Sequence, residues 1–369
     1  MMEDILAYMH NFPAAGAKGP FTGLSAAWSC PSNIALVKYW GKRDGQLPVN
    51  PSLSMTLTQA VTRTRLTVAA ETCEPGLASV NGDPGHPFLG KLRVLHRWFC
   101  ETIPALRPLA LTVETRNTFP HSSGIASSAS GLGAFALCML DLAGLLTKAG
   151  TAQDEFMRAA SMAARIGSGS ACRSLFGGFA WWGESPLMGE SSDQYAVKIR
   201  NGIHPEMYGL RDAILVISSR PKELPSSAGH RAMDRHPFRE GRISHAGENL
   251  RELLDALASG DFGKLADIAE NEALTLHSLM MSARPGVILL QPGTLEAIAR
   301  VREARRAGVP VCFTIDAGAN LHLLCPATAS ADVERLISEA LRPLCENELV
   351  IYDSCGTGPV RLAETQPLA

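Results

Sequence analysis

The stretch from Thr118 to Leu146, TFPHSSGIASSASGLGAFALCMLDLAGLL, constrains this chain most. Small or hydroxylated residues from Ala126 to Gly131 run straight into an apolar segment long enough for a buried helix. Backbone amides at such a helix start have no partner within the helix, and small side chains let an anion come close to them. Ser122, Ser123, Ser127, Ser128 and Ser130 add hydroxyls that can donate to phosphate oxygens or help hold a metal ion. The segment reads as a phosphate cradle. Taken alone, a Ser/Gly-rich loop capping a core helix explains it equally well, because it holds neither GxxxxGK[ST] nor a GxGxxG after a strand.

Composition narrows the classes of partner. A chain of 369 residues with 46% hydrophobic content can bury a large core and is expected to form two fused lobes. Its formal net charge of −2 offers no overall field for nucleic acid or an anionic membrane, so any anion site has to be built locally. The first residues, MMEDILAYMHNF, lack the charged n-region of a secretory signal, and the apolar run after Gly131 is interrupted by Asp141 and reads as short of a membrane span. A soluble cytoplasmic protein is the expectation. Nine cysteines show no CxxC pair and no Cys/His ligand spacing. Cys138, Cys312 and Cys325 stand in apolar contexts, which speaks for buried thiols and against a disulfide framework or structural zinc.

Along the chain, residues 1–24 carry Pro13, Gly16, Gly19, Pro20 and Gly23 with little periodicity, which predicts a loosely held, flexible arm. Strands are predicted at 34–37, 53–57, 64–70 and 111–116, with a helix over 88–103 between the last two and another over 153–165 after the cradle. GGFAWW and YAVKIR read as further strands. The looser composition of ESPLMGESSDQ predicts a lobe boundary near 185–205, with a first lobe over 25–195 and a second over 196–369. In the second lobe, strands at 213–218, 311–315, 321–325 and 349–352 are joined by helices at 245–259, through ALTLHSLM, at 295–307 and at 333–341. This order fits a split βαβ sandwich with inserted helices.

Candidate chemistry lies outside the cradle as well. In KYWGKRDG, Lys38, Lys42 and Arg43 flank Tyr39 and Trp40. Cations so close together suit a multiply anionic small ligand, and a solvated basic turn has the same composition. In RIGSGSACRS, Arg173 follows a second small, hydroxylated run, and its planar fork suits a carboxylate or phosphate as well as a buried structural acid. Asp316 ends an apolar strand in TIDAGANLHLL beside an open turn, a place where aspartate is common for local reasons alone.

Together, NIALVKYWGKRD, SLSMTL, FPHSSGIASSASG, GSGSACRS and TIDAGANLHLL, in this order over nearly the whole chain, resemble the diphosphomevalonate decarboxylases of the GHMP kinase superfamily. KYWGKRD with GSGSACRS marks the decarboxylase branch, whereas the serine-rich cradle marks only the superfamily. The resemblance implies an α/β (α+β) fold of the GHMP kinase type. Its N-terminal lobe would be like domain 2 of ribosomal protein S5, its C-terminal lobe ferredoxin-like, and the active site would lie in the cleft between them. It also implies that ATP phosphorylates the tertiary 3-hydroxyl of (R)-5-diphosphomevalonate. Loss of phosphate and CO2 would then give isopentenyl diphosphate, a step of the mevalonate pathway of isoprenoid biosynthesis.

Carried over by position, Asp316 would orient or deprotonate the 3-hydroxyl. A carboxylate with an ordinary pKa of about 4 is a weak base, so orientation and stabilisation of charge developing at C3 carry more weight. Arg173 would grip the substrate carboxylate, with Ser168, Gly169, Ser170, Ala171 and Cys172 around it. Tyr39, Trp40, Gly41 and Lys42 would hold the diphosphate end, and Lys38 would contact the transferring phosphate or Asp316. Ser226 and Ser227, in KELPSSAGH, would match a family Ser-Thr pair near the substrate phosphates. Ser122, Ser123, Gly124, Ala126, Ser127, Ser128 and Ser130 would bind the phosphates of ATP with Mg2+, the metal lying on Ser127 or Ser128. A homodimer with a small-molecule substrate, and with neither nucleic acid nor membrane as partner, is the expectation that goes with the family.

The chain also departs from the family pattern. FPHSSGIASSASG stands where relatives usually read FPTAAGLASSAAG, which alters the cradle's rim. A family arginine for the diphosphate aligns with Phe88 in VNGDPGHPFLGKLR, leaving Lys91 or Arg93 to replace it. That opens alternatives: a decarboxylase or 3-kinase acting on 5-phosphomevalonate or mevalonate, or a catalytically silent homologue that binds metabolites. His121, His277 and His322 lie near these segments and are expected to be hydrogen-bonded structural histidines.

Overall fold

The computed structural model describes Ile5, Ala7, Met9 and residues 21–71, 76–120, 125–147, 153–220, 226–363 and 366–368, with the backbone alone for residues 71, 146–147 and 226–228. The first lobe comprises β1 (Ser25–Val37), the short hairpin β2 (Lys42–Arg43) and β3 (Leu47–Pro48), β4 (Ser52–Glu71), β5 (Gly76–Val80), α1 (Leu89–Thr102) and β6 (Leu109–Asn117). It continues through α2 (Ser127–Thr147), α3 (Gln153–Gly167), β7 (Phe179–Trp182) and β8 (Ala196–Lys198). The second lobe adds β9 (Arg211–Leu215), α4 (Ser226–Ala232), α5 (Arg239–Ser259), α6 (Phe262–Ser282), α7 (Pro292–Arg306), β10 (Cys312–Thr314), β11 (Leu321–Cys325), α8 (Ser330–Leu336), β12 (Val350–Ser354) and β13 (Val360–Arg361).

The strands expected at 53–57 and 64–70 are one strand of 20 residues, β4. Its first residues pair with β7, its later ones with β6, and β1 runs antiparallel to both parts with a register shift between Pro31 and Asn33. Leu53, Met55 and Leu57 alternate with Ser52, Ser54 and Thr56, and all six are buried. One face of this half of the strand is therefore apolar and the other is a buried polar row.

The apolar helix that the sequence places after the cradle is α2, packed on β1 and β4. Contrary to the expectation that Asp141 leaves the run short of a span, Ser127–Leu145 is long and apolar enough to cross a membrane by composition, but 78% of that window is buried inside the protein. Asp141 is accommodated because its Oδ2 accepts from Trp28 Nε1 at 2.9 Å and from Arg361 Nε at 2.7 Å. Close packing uses the glycines: a Cβ at Gly133 would lie 2.6 Å from Cys30 Sγ, and one at Gly131 would lie 3.0 Å from the ring of Phe88.

In the second lobe, the order β10-β11-β9-β12 with antiparallel neighbours is the ferredoxin-like sheet; α7 and α8 pack on it as the two crossover helices, and α4 to α6 are the insertions. One face of this sheet builds its own core with Leu215, Phe313, Ile315, Leu321 and Leu323, while Ile214, Cys312 and Leu324 on the other face join the core of the first lobe. The helix expected at 333–341 is α8 followed by a π turn over Ile337–Leu341. Because β8 pairs with β7 and β9 belongs to the second sheet, the chain passes from the first sheet to the second between Lys198 and Arg211. β13 then returns to pair with β1. Of the N-terminal arm, Ile5 and Met9 are buried in the first lobe's core, and residues 10–20 lie outside the described residues. All cysteines among the described residues are free thiols.

Candidate active site

Lys38 follows the end of β1 and is 1% exposed. Its Nζ donates to Ala35 O at 2.6 Å, Thr314 Oγ1 at 2.8 Å and Asp316 Oδ1 at 2.9 Å. Each proton of the ammonium thus has an acceptor. Burial lowers the pKa of Lys38, opposed chiefly by the charge and hydrogen bond of Asp316. Asp316 keeps 28% of its side chain exposed, so the carboxylate that pairs with the lysine is also open to a ligand. Its carbonyl accepts from His277 Nε2 at 3.1 Å, the structural role expected of that histidine.

Arg173 lies in the 3-10 segment Gly169–Leu175 and is 3% exposed. Its Nη1 donates to Ser52 Oγ at 2.5 Å and its Nε to Asn33 Oδ1 at 3.4 Å, while its guanidinium stands 5.9 Å from the centroid of Trp182. Burial lowers its pKa, and Cys172 and then Asp316 oppose the shift, so the guanidinium feels the carboxylate of the other lobe. The structure therefore brings Lys38, Arg173 and Asp316 together. Ser52, Asn33 and Thr314 complete the cluster and were missed by sequence reasoning, although SLSMTL, with its small hydroxyls alternating with apolar residues, carried the signal.

The segment before Arg173 is shaped by close packing. A Cβ at Gly169 would stand 2.7 Å from Trp182 Cη2 and 2.9 Å from Tyr39 Oη. Ala171 and Cys172 are buried, Cys172 Sγ donates to Gly169 O at 2.9 Å, and burial pushes its thiol pKa up to about 12, so it is an inert packing residue. Ser168 and Ser170 are half-buried, and the carbonyl of Ser170 accepts from Asn33 Nδ2 at 3.4 Å.

The aromatic pair of KYWGKRDG divides. Tyr39 carries a buried hydroxyl with no hydrogen-bond partner among the described residues and packs on Trp182 and His230 at 4.6 and 4.3 Å between centroids. Trp40 is 4% exposed and belongs to a small cluster with Met233, Leu276, Leu279, Met280 and Ala317, so it supports the site from behind. Gly41, at φ +90°, donates its N–H to His230 Nδ1 at 3.1 Å, a turn that suits glycine. The cations also diverge. Lys42 is half-buried, bonds Gln46 at 3.1 Å and has its pKa lowered by burial and by Arg231, whereas Arg43 pairs with Asp193 at the surface.

At the cradle, Ser32 Oγ donates to Ile125 O at 2.7 Å, and Ala126 takes φ +48° as the chain turns into α2. Ser127 and Ser128 are half-buried at the first turn, where amides lack helical partners. Lys91 Nζ donates to Ser128 Oγ at 3.0 Å, which brings the ammonium to this end of α2. Arg93 is exposed on α1. Ser130, expected among the phosphate ligands, is instead fully buried and bonded to Thr62 Oγ1 at 2.6 Å, pinning α2 to β4. His121, Ser122, Ser123 and Gly124 lie outside the described residues, as do the side chains of Ser226 and Ser227.

The sequence model described as "Diphosphomevalonate decarboxylase-like N-terminal domain" matches residues 30–195, and that of the "Mevalonate 5-diphosphate decarboxylase C-terminal domain" matches 213–361. A diphosphomevalonate decarboxylase of Ganoderma lucidum is 32% identical over 347 residues, covering 87% of this chain and 83% of that protein. This chain belongs to the diphosphomevalonate decarboxylase family. The enzyme of the same name from Candida albicans is 33% identical, covering 80% of this chain and 83% of its own length. Among solved structures of the family, one in complex with MVAPP, AMPPCP and magnesium superposes with a TM-score of 0.77 at 31% identity, covering 92% of this chain and 99% of that one. The mevalonate diphosphate decarboxylase of Staphylococcus aureus gives 0.78 at 29% identity, with 92% and 98% covered. The two-lobed GHMP-kinase-type fold is thus that of the decarboxylase family.

Proposed function

We infer that this chain carries out the family reaction, converting (R)-5-diphosphomevalonate and ATP into isopentenyl diphosphate, ADP, phosphate and CO2. The observation that carries this reading is the Lys38 to Asp316 contact of 2.9 Å between residues of different lobes, beside the buried guanidinium of Arg173. A partly open carboxylate beside a saturated ammonium is suited to orient a hydroxyl for attack on a γ-phosphate. A tertiary hydroxyl is a poor leaving group, and its phosphate ester is a good one. As the phosphate departs, Asp316 stabilises the positive charge developing at C3. Arg173 holds the substrate carboxylate until its C–C bond breaks, the bond's electron pair becoming the alkene and CO2 leaving.

The cradle fits a nucleotide triphosphate. It offers the amides of the first turn of α2, the hydroxyls of Ser127 and Ser128 and the ammonium of Lys91. Among the described residues no three His, Cys, Asp or Glu side chains converge, so Mg2+ would be held by phosphate oxygens with Ser127 or Ser128 and would supply charge neutralisation there. Lys42 and Arg231 at one end of the site support a substrate with a distal diphosphate. The Lys91 contact with Ser128 supports a role for this cation at the nucleotide phosphates rather than at the diphosphate.

A cytoplasmic homodimer without nucleic-acid or membrane partners belongs to the same proposal, and the formal net charge of −2 is in keeping with it. Light scattering checks the dimer. Incubation with ATP and mevalonate, 5-phosphomevalonate or 5-diphosphomevalonate in turn tests the reaction. CO2 and phosphate released with the last of these is the expected result; ADP without CO2 means a kinase only, and turnover of mevalonate alone refutes the substrate.

A further inference from the structure

Lys38 serves the site by its side chain, yet its backbone is held by groups the reaction does not use. Its N–H donates to Glu272 Oε2 at 2.8 Å, and its carbonyl accepts from Arg242 Nη2 at 2.8 Å and Asn50 Nδ2 at 3.0 Å. Arg242 and Glu272 form a bidentate pair, Nη1 to Oε1 and Nη2 to Oε2 each at 2.7 Å, with side chains 2% and 0% exposed. Asn249 Nδ2 donates to Glu272 Oε1 at 2.6 Å. These three side chains come from α5 and α6 of the second lobe, whereas Lys38 follows a strand of the first.

We propose that Arg242, Glu272 and Asn249 are positioning residues for the family reaction, clamping both polar groups of the Lys38 backbone so that its ammonium meets Asp316 across the cleft. A buried ion pair is a poor way to join two helices, since apolar side chains of the same volume do as well or better. α5 and α6 already bury Leu250, Leu253, Leu257, Leu265 and Ala269 in the main core. The pair instead turns Arg242 Nη2 and Glu272 Oε2 to the backbone of one residue, Lys38, while Asn249 holds Glu272 Oε1. Fixing the N–H and C=O of Lys38 fixes its Cα–Cβ direction, and a site of this kind tolerates errors of only about 0.5 Å.

The clamp also acts through charge. Lys38 faces Asp316 beyond β10, Glu272 on α6, Arg242 on α5 and Arg173 in the segment after α3. Burial favours the neutral amine and Arg173 adds to this, whereas Asp316 and Glu272 favour the ammonium. Glu272 is therefore a second carboxylate that keeps the proton on Lys38.

The inference rests on the reaction proposed above, and its test separates the two. The double variant Arg242→Gln/Glu272→Gln keeps an amide donor and an acceptor in place of the charges and leaves no buried charge unpaired. We expect a folded protein whose KM for both substrates stays within about twofold while kcat falls about tenfold to a hundredfold. The Lys38 titration midpoint, read from the 13Cε signal of labelled lysine and assigned with Lys38→Arg, should move to lower pH, and the alkaline limb of kcat with it. A folded double variant with unchanged kcat and unchanged midpoint overturns the clamp. Should the double variant not fold, Asn249→Ala retains the ion pair and should lower kcat by less with KM for both substrates within about twofold; unchanged kcat there overturns the clamp as well. The midpoint does not depend on turnover, so a wild-type protein that releases no CO2 counts against the reaction and not against the clamp.

Discussion

Asp316 Oδ1 accepts a hydrogen bond from Lys38 Nζ at 2.9 Å although 278 residues separate them in the chain. Neither lobe can build this contact alone, because Lys38 follows β1 and Asp316 follows β10. Replacing Asp316 by Asn keeps the shape and removes the charge, and should lower kcat by about 10² to 10⁴-fold. Nucleotide affinity, measured by calorimetry, should be unchanged. Undiminished CO2 release would remove Asp316 from the chemistry.

Arg173 reaches Ser52 and Asn33 with separate nitrogens while its face lies over Trp182. Lysine has neither the fork nor the flat face. Arg173→Lys should lower kcat/KM for the decarboxylation substrate by about a hundredfold, in line with the loss of hydrogen bonds to a charged group, and leave the KM for ATP within about twofold. Steady-state kinetics with each substrate varied in turn checks it.

Lys91 donates to Ser128 Oγ at the start of α2. Lys91→Met should raise the KM for ATP about five- to tenfold, the worth of one charge-assisted contact at an exposed residue. The KM for the other substrate should not move. The reverse pattern would assign this lysine to the substrate's distal phosphate.

His230 packs between Tyr39 and Trp40 and accepts the N–H of Gly41. Burial, with Lys42 and Arg173 pushing the same way, lowers its pKa to about 3. The unfolded chain takes up this proton near pH 6.5 and the folded chain does not. Stability from this group is therefore present above pH 6.5 and is lost as pH falls toward 3, by at most about 1.4 kcal/mol per pH unit. Tm should drop over this window, and His230→Gln should flatten the drop.

Asp353, on β12, accepts the amides of Thr58, Gln59 and Ser354 at 2.6, 2.9 and 2.7 Å through Oδ1 and that of Ala60 at 2.7 Å through Oδ2. It serves the part of β4 where pairing with β1 is interrupted. Asp353→Ala strands these amides and should cost about 3 kcal/mol or more, read as a fall in Tm with little change in the KM for either substrate.

Much of the site was legible because its chemistry is concentrated in short segments. Lys38, Arg173 and Asp316 each stood in a short motif that the family resemblance singled out, although their residue types alone left a structural role open. What stayed hidden depends on partners far away in the chain. Ser130 looks like its neighbours in SSAS, and only the position of Thr62 on β4 turns it inward. β4 read as two strands because its middle takes partners from the second lobe, which no local alternation records. Arg242 and Glu272 fall just before the helices expected at 245–259 and through ALTLHSLM, and their burial follows from where β1 ends.

The segment from Cys355 to Gly358 passes between β4 and the turn before β7. Gly356 donates to Thr56 O at 2.7 Å and accepts from Gly178 N at 2.8 Å, and a Cβ at Gly356 would fall 2.0 Å from Leu57 O. The segment that follows β12 is thus a rung of the first lobe's sheet, and β13 lies alongside β1. The first lobe's sheet is therefore completed by residues synthesised only after the second lobe's strands, so its full set of strand pairings can close only late in translation.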